Sequence, residues 1–149
     1  MALLSASACF LGGVRAEKKI GDAVQSLNDQ ARWARIQDAS MLVQPDYRDK
    51  FLSQHRSWGA DIQVADAEVL NIQLAQDAEH ASAFVTYSWY AMSDMTAHET
   101  TLKQLWTARS SSFALASETV VRGDPGLLLV AQTQAVEPVN SEAHEVPMR

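Results

Sequence analysis

Residues 61–122 limit most strongly how this chain can fold. Apolar and polar residues alternate there with a period of two, in runs separated by short polar segments. This period is typical of β-strands, because successive side chains of a strand point to opposite faces of the sheet. Short polar connections favour antiparallel neighbours. The pattern predicts a meander of three or four long strands, over residues 61–74, 81–92, 98–110 and 113–121.

The part of the chain that precedes these strands follows a helical period instead. Its apolar residues recur at spacings of three and four, which places them on one face of a helix. They are Ile20, Val24, Leu27, Ala31 and Ala34. We expect one long helix over residues 18–40 and a shorter one over 45–56, whose Pro45 suits a first helical turn. Helices followed by strands predict the α+β class.

The first residues differ from everything after them, because residues 1–13 are apolar and uncharged. Small residues at Ala6 and Ala8 are typical of a processing site that follows an apolar region. Together with Cys9 they resemble the lipobox of bacterial lipoproteins, which implies a lipidated Cys9. Residues 1–16 are therefore predicted to be an export segment. The alternative is a frayed apolar N-terminus with a buried cysteine.

Three segments follow from these boundaries. Residues 17–130 form the folded domain, since the whole chain of 149 residues suits a single core. Residues 131–149 are polar, without periodicity, and are expected to be disordered. No stretch approaches the ~20 apolar residues of a membrane-spanning helix. The predicted location is the periplasm or, through a lipid anchor, the membrane surface, with the cytoplasm as the alternative.

Charge and composition restrict the partners and cofactors. The net charge is −6 and the twelve basic residues are scattered, which argues against nucleic-acid binding. The single cysteine allows no internal disulfide. The four histidines lack the spacing of a zinc site, and no glycine-rich phosphate loop is present. We therefore predict neither a metal nor a cofactor.

Acidic residues offer the one opening for catalysis. Asp66 and Glu68 fall on the apolar alternation of the first predicted strand. A carboxylate among apolar side chains can act as a general base, because burial disfavours its charged form. The alternative is a β-bulge near residues 65–67 that turns both to solvent. Other residues that could face a cavity are Asp38, Asp61, His55 and His98, with both histidines expected to be exposed.

Aromatic residues predict where a ligand could bind. Tyr87 and Trp89 share one face of the second predicted strand, and apolar residues on both of its faces predict a strand covered on both sides. The predicted ligand cavity is lined by Trp33, Tyr47, Tyr87, Trp89 and Trp106. The opposite face could pair with a second copy or a partner through Thr86, Tyr90, Thr101, Lys103 and Arg109.

The order of elements, a long helix, a short helix and a strand meander, resembles the NTF2-like superfamily. Residues 105–109 and 113–124 are similar to the paired final strands of SnoaL-like bacterial proteins. The resemblance implies a curved antiparallel sheet that wraps the long helix as a cone, with a cavity at its wide end. It also implies a homodimer through the open sheet face.

The superfamily includes ketosteroid isomerase and polyketide cyclases, which place an acidic base in that cavity. No motif of this chain matches those sites residue by residue. We therefore expect a non-catalytic NTF2-like domain of the bacterial cell envelope that binds a partner protein or a small apolar ligand. The alternative is a SnoaL-like or ketosteroid-isomerase-like enzyme that uses Asp66 or Glu68 as its base.

Overall fold

The computed structural model describes residues 8–128, with side chains from residue 13 onward. The helices are α1 (Ala8–Arg32), α2 (Ile36–Ser40) and α3 (Pro45–Gln54). The strands are β1 (Ile62–Leu74), β2 (His80–Ala91), β3 (Ala97–Arg109) and β4 (Ser112–Gly123), followed by a 3-10 turn at Pro125–Leu127. All strand pairs are antiparallel, in the order β1-β2-β3-β4. The predicted α+β class and strand meander are confirmed.

Helix α1 packs against β1 and β4 through the apolar stripe that its sequence predicts. Ile20, Val24, Leu27 and Ala31 are each at most 1% exposed. Complete burial of a large aliphatic side chain contributes about 1.5–3 kcal/mol, so this stripe anchors the helix to the sheet. The helix begins at Ala8, within the segment assigned to export, and the side chain of Cys9 lies outside the described part of the chain.

The prediction of one helix through residue 40 is wrong, because α1 ends at Arg32. Ala34 has a left-handed backbone (φ 58°), which L-residues other than glycine adopt at a cost. The Arg35 N–H donates to the Gln30 carbonyl (2.9 Å) and the Ala34 N–H to the Ala31 carbonyl (2.9 Å). This pair of bonds is the Schellman end of a helix, and α2 then starts in a new direction.

Two bulges decide which residues of β1 face the helices. The register shifts once between Val64 and Asp66, which confirms the bulge predicted near residues 65–67. It shifts again between Val69 and Asn71, where the sequence predicts no bulge. Leu70, expected on the apolar face, is therefore 54% exposed. Each extra residue reverses the alternation of a strand, so the two bulges together restore the apolar face near the end of β1.

The sheet has an inner face, which includes Val85, Tyr87 and Trp89 of β2, and an outer face, which includes Phe84 and Tyr90 of β2. The inner residues are at most 5% exposed. The outer residues are half-buried, so within the described chain β2 is fully covered on its inner face and only partly on its outer face. Cross-strand contacts nevertheless hold the outer face together. They include a Thr86–Thr101 hydroxyl bond (2.8 Å) and the Lys103 amine over the Phe84 ring (5.9 Å).

Candidate functional site

A cluster of five polar side chains is buried between the inner face of the sheet and the helices α1 and α3. We call them the buried polar cluster: Asn28, His55, Tyr87, Gln104 and Glu118, each at most 4% exposed. Burial of a polar group is costly unless its hydrogen bonds are replaced, so the partners of each group are informative. The cluster draws one residue from α1, one from the end of α3 and three from β2, β3 and β4.

Two amide side chains form the centre of the cluster. The Gln104 Nε2 donates to Asn28 Oδ1 (2.9 Å), and the Asn28 Nδ2 donates to Gln104 Oε1 (3.1 Å). The Asn28 Nδ2 also donates to the Val24 carbonyl (2.8 Å), and the Tyr87 hydroxyl donates to Asn28 Oδ1. The reciprocal pair of Asn28 and Gln104 links α1 to β3, and the Tyr87 bond links α1 to β2. Both amide groups therefore have partners.

Glu118 and His55 extend the cluster towards α3. Gln104 Nε2 donates to Glu118 Oε1 (2.8 Å), and His55 Nε2 lies 3.1 Å from Glu118 Oε2. His55 Nδ1 lies 2.8 Å from the Phe51 carbonyl oxygen, which can only accept, so Nδ1 carries a hydrogen. The two atoms are within ion-pair distance, but Glu118 Oε2 has no well-aligned hydrogen-bond donor among the described residues.

The charge of Glu118 acts on two tyrosines, Tyr87 and Tyr47. Burial raises the pKa of Tyr87 well above its ordinary value, and the charges of Glu118 and Asp29 add to this effect. Burial and the Glu118 charge also raise the pKa of Tyr47, although the Glu118 N–H that donates to its oxygen (3.1 Å) opposes them. The Tyr47 hydroxyl donates to Gln54 Oε1 (2.7 Å). Both tyrosines therefore remain protonated donors over the ordinary range of pH.

The arrangement of the cluster favours a structural role. Both ring nitrogens of His55 are engaged, one by a backbone carbonyl and one by Glu118. Its ring also packs between Phe51 and Trp58, with centroids 4.0 and 4.6 Å away. An imidazole held on every side in this way orients α3 against β4. It has no nitrogen left with which to remove a proton from a ligand.

Residues of the connection between α3 and β1 line two grooves. The first, which we call the α2–α3 groove, has a volume of about 400 Å³, and its lining includes Arg35, Asp38, Leu52, His55, Arg56 and Trp58. The second, which we call the Trp89 groove, has a volume of about 650 Å³, and its lining includes Ser57, Asp61, Ile62, Trp89, Ala91 and Met92. Volumes of about 300–1,000 Å³ are usual for small-molecule sites.

The indole that borders the Trp89 groove is fixed by its neighbours. Its Nε1 donates to Thr100 Oγ1 (2.9 Å), which in turn donates to the Asp124 carbonyl (2.6 Å). The ring stacks on His98 with a centroid distance of 4.3 Å and an interplanar angle of 17°. His98 Nδ1 lies 2.7 Å from Asp124 Oδ2. The groove is therefore bordered by an aromatic ring whose orientation is set before any ligand arrives.

Four of the five aromatic residues predicted to line a cavity are buried members of one core cluster, and Trp33 is not among them. Tyr47, Tyr87 and Trp106 are at most 8% exposed and belong to the core. Trp33 is 65% exposed at the end of α1, beside the Arg32 guanidinium (5.4 Å). Trp89 is the member of this set that borders a described groove.

The four acidic residues predicted to face a cavity are all exposed. Asp66 and Glu68 are exposed, and Asp66 lies 3.1 Å from the Arg32 guanidinium. Neither has the apolar surroundings on which the catalytic hypothesis depends. Asp38 and Asp61 border the two grooves as exposed residues.

His55 and His98 were both expected to be exposed. This is wrong for His55, which is 1% exposed, and His98 is half-buried. The end of α3 turns the His55 ring inward onto Phe51 and Glu118, where a carbonyl and a carboxylate replace its contacts with water.

Asn28, Gln104 and Glu118 were not among the residues that the sequence predicted for a site. A weak signal was present, because Gln104 falls between Leu102 and Trp106 on the apolar alternation of β3. A polar residue in such a position needs a buried partner. The partner of Gln104 on α1 is 76 positions away in sequence, so periodicity within one strand could not identify it.

Among the side chains that the structure describes, those of residues 13–128, no three or more from histidine, cysteine, aspartate or glutamate gather as a metal site would require. Of the helices described, none is long and apolar enough to cross a membrane. Comparisons of the chain with protein-family models, curated proteins and solved structures gave no match. A function is therefore inferred from the chain's own residues.

Proposed function

We propose that the chain is a non-catalytic, NTF2-like binding domain of the bacterial cell envelope. Its ligand is a small apolar molecule or an apolar segment of a partner protein. The observation that carries the proposal is the Trp89 groove, which combines a suitable volume of about 650 Å³ with an apolar lining from Ile62, Trp89, Ala91 and Met92.

The fixed position of Trp89 supports binding at this groove. A ligand that meets a rigid indole does not have to order it, so less of the binding energy is lost. Asp61 and Ser57 lie at the same groove and would give its edge a polar character. These features suit a ligand that is mainly apolar with one polar end.

The state of the acidic and basic groups supports a non-catalytic role. His55 has both nitrogens engaged inside the protein, and Asp66 and Glu68 lie in water. A general base needs a free atom within hydrogen-bond reach of its substrate. The residues that the enzymatic alternative required are therefore poorly placed for it.

The NTF2-like architecture is supported by the element order and by α1 against the inner face of the sheet. In this proposal the outer face, with Phe84, Tyr90 and Leu105, forms a homodimer. Light scattering at tens of micromolar chain tests it, and a monomer would contradict it. Labelling of cells with a fatty-acid analogue tests the envelope location, and absence of label on Cys9 would contradict the lipid anchor.

A neutral fluorescent probe tests the groove directly. N-phenyl-1-naphthylamine should bind the chain with enhanced fluorescence, and Ala91→Arg should weaken binding about tenfold or more, because the side chain fills the groove. Ala108→Arg is the matched control, since Ala108 is exposed on β3. Circular dichroism confirms that both variants fold. Equal binding by Ala91→Arg and the unaltered chain would refute the site.

A further inference from the structure

The α2–α3 groove differs from the Trp89 groove in charge. We propose that it is a second binding site, which takes a small organic carboxylate with a compact apolar body. The proposal does not depend on the one for the Trp89 groove, because the two linings share no residue.

Two guanidinium groups give the groove its charge. Arg35 and Arg56 line it together with one acidic residue, Asp38. Among the described residues, neither arginine lies within ion-pair distance of a carboxylate. The local excess of positive charge is opposite in sign to the net charge of the chain, −6. Guanidinium groups bind carboxylates through two parallel hydrogen bonds, so a carboxylate is the anion that fits best.

The same groove also offers apolar contacts. Ile36 of α2, Leu52 of α3 and Trp58 beyond α3 contribute to the lining. A ligand that placed its carboxylate on the arginines could lay an apolar ring or short chain against these side chains. The volume of about 400 Å³ is at the small end of the range for ligand sites, which limits the apolar body to a compact one.

His55 also forms part of the lining, but it is 1% exposed and its Nε2 faces Glu118 Oε2 at 3.1 Å. The exposed cationic side chains of the groove are Arg35 and Arg56. Arg35 and Arg56, and not His55, are therefore the residues to substitute.

The shape of the groove is fixed before a ligand binds. Ala34, which lies in the lining, takes its left-handed conformation at the end of α1. A Cβ atom on Gly59 would lie 2.5 Å from the Ala34 Cβ, so glycine permits the connection after α3 to pack on this turn. The Trp58 indole donates to the Leu127 carbonyl (2.9 Å) and holds the other side. Binding to a preformed groove costs little ordering.

Benzoate and its neutral isostere benzamide test the proposal. Titration followed by the indole N–H resonance of Trp58 should show saturable benzoate binding, with benzamide weaker by about tenfold because it lacks the charge. Arg35→Gln and Arg56→Gln should each weaken benzoate by about three- to tenfold. Arg109→Gln makes the same change of charge at an exposed position on β3 and should leave binding unchanged.

Three results would overturn the proposal. They are equal binding of benzamide and benzoate, equal weakening by Arg109→Gln and Arg56→Gln, and a Trp58 resonance that does not move. Arg56→Gln should also leave the fluorescence of bound N-phenyl-1-naphthylamine unchanged, while Ala91→Arg leaves benzoate binding unchanged. Loss of one ligand without the other therefore shows which of the two sites is absent.

Discussion

The two edge strands of the sheet both carry acidic residues, and their surroundings are opposite. On β1, Asp66 and Glu68 are exposed, with Thr86 opposite Glu68. On β4, Glu118 is 4% exposed and lies opposite Gln104, with His55 above it. A bulge separates the first pair from the core, while hydrogen-bond donors retain the second carboxylate inside it. The partners across the sheet, and not the residue type, decide what a carboxylate does.

The largest expected effect is on the free energy of unfolding, and it distinguishes β4 from β1. Glu118→Ala should lower the free energy of unfolding by about 3–5 kcal/mol, because it removes one partner of a buried pair. Glu68→Ala should change it by no more than about 0.5 kcal/mol, as is usual for exposed positions. Urea denaturation of both variants measures the difference.

Glu118→Gln serves as the control for this comparison. Its amide can donate to the His55 ring nitrogen and retain a hydrogen bond, so it should cost less than Glu118→Ala. If Glu118→Ala destabilised the chain no more than Glu68→Ala, the buried polar cluster would have no structural importance.

Alkaline pH should weaken the surroundings of Glu118 through two tyrosines, Tyr87 of β2 and Tyr47 of α3. Since the pKa of Tyr87 and of Tyr47 is raised in the folded chain, the unfolded chain releases these protons first. The stability they contribute is complete below about pH 10 and is lost as the pH rises further, by at most about 1.4 kcal/mol per pH unit for each group.

Urea midpoints measured between pH 8 and pH 11 test this dependence. Tyr87→Phe should reduce the slope above pH 10, because one of the two groups is absent. It should also lower stability at neutral pH by about 1 kcal/mol, since the donor to Asn28 is lost. A slope identical to that of the unaltered chain would contradict the assignment.

The smallest effect is expected on the β1 side. A double-mutant cycle on Arg32 and Asp66, which lie 3.1 Å apart, should give a coupling energy of about 0.2–1 kcal/mol. Salt should reduce it, because the Asp66 side chain is 62% exposed. A coupling above about 2 kcal/mol would mean that this edge contributes as much as the buried one and would remove the contrast.

Local pattern was sufficient for the four strands and for the buried face of α1. The alternation of residues 61–122 predicted β1 to β4 to within a few residues, and the helical stripe of Ile20, Val24 and Leu27 predicted which side of α1 is buried. Both depend on the geometry of a single element, which the sequence of that element contains. The bulge beside Asp66 was also predictable, because it interrupted an otherwise regular alternation.

Other features depended on contacts between distant parts of the chain. The turn at Ala34 fits against Gly59, and neither residue indicates the other in the sequence. The exposure of Leu70 follows from a second bulge without a local polar signal. His55 looked like an exposed residue at a helix end until Glu118 was placed beside it, 63 positions later (118 − 55).

The sequence by itself determined the α+β class of the fold, its four strands and the buried face of α1, because periodicity records them residue by residue. The tertiary structure alone decided which acidic group is buried, which aromatic ring borders a groove and which arginines share one. These depend on elements meeting in space, where burial and hydrogen-bond partners are set by the neighbouring elements and not by the element itself.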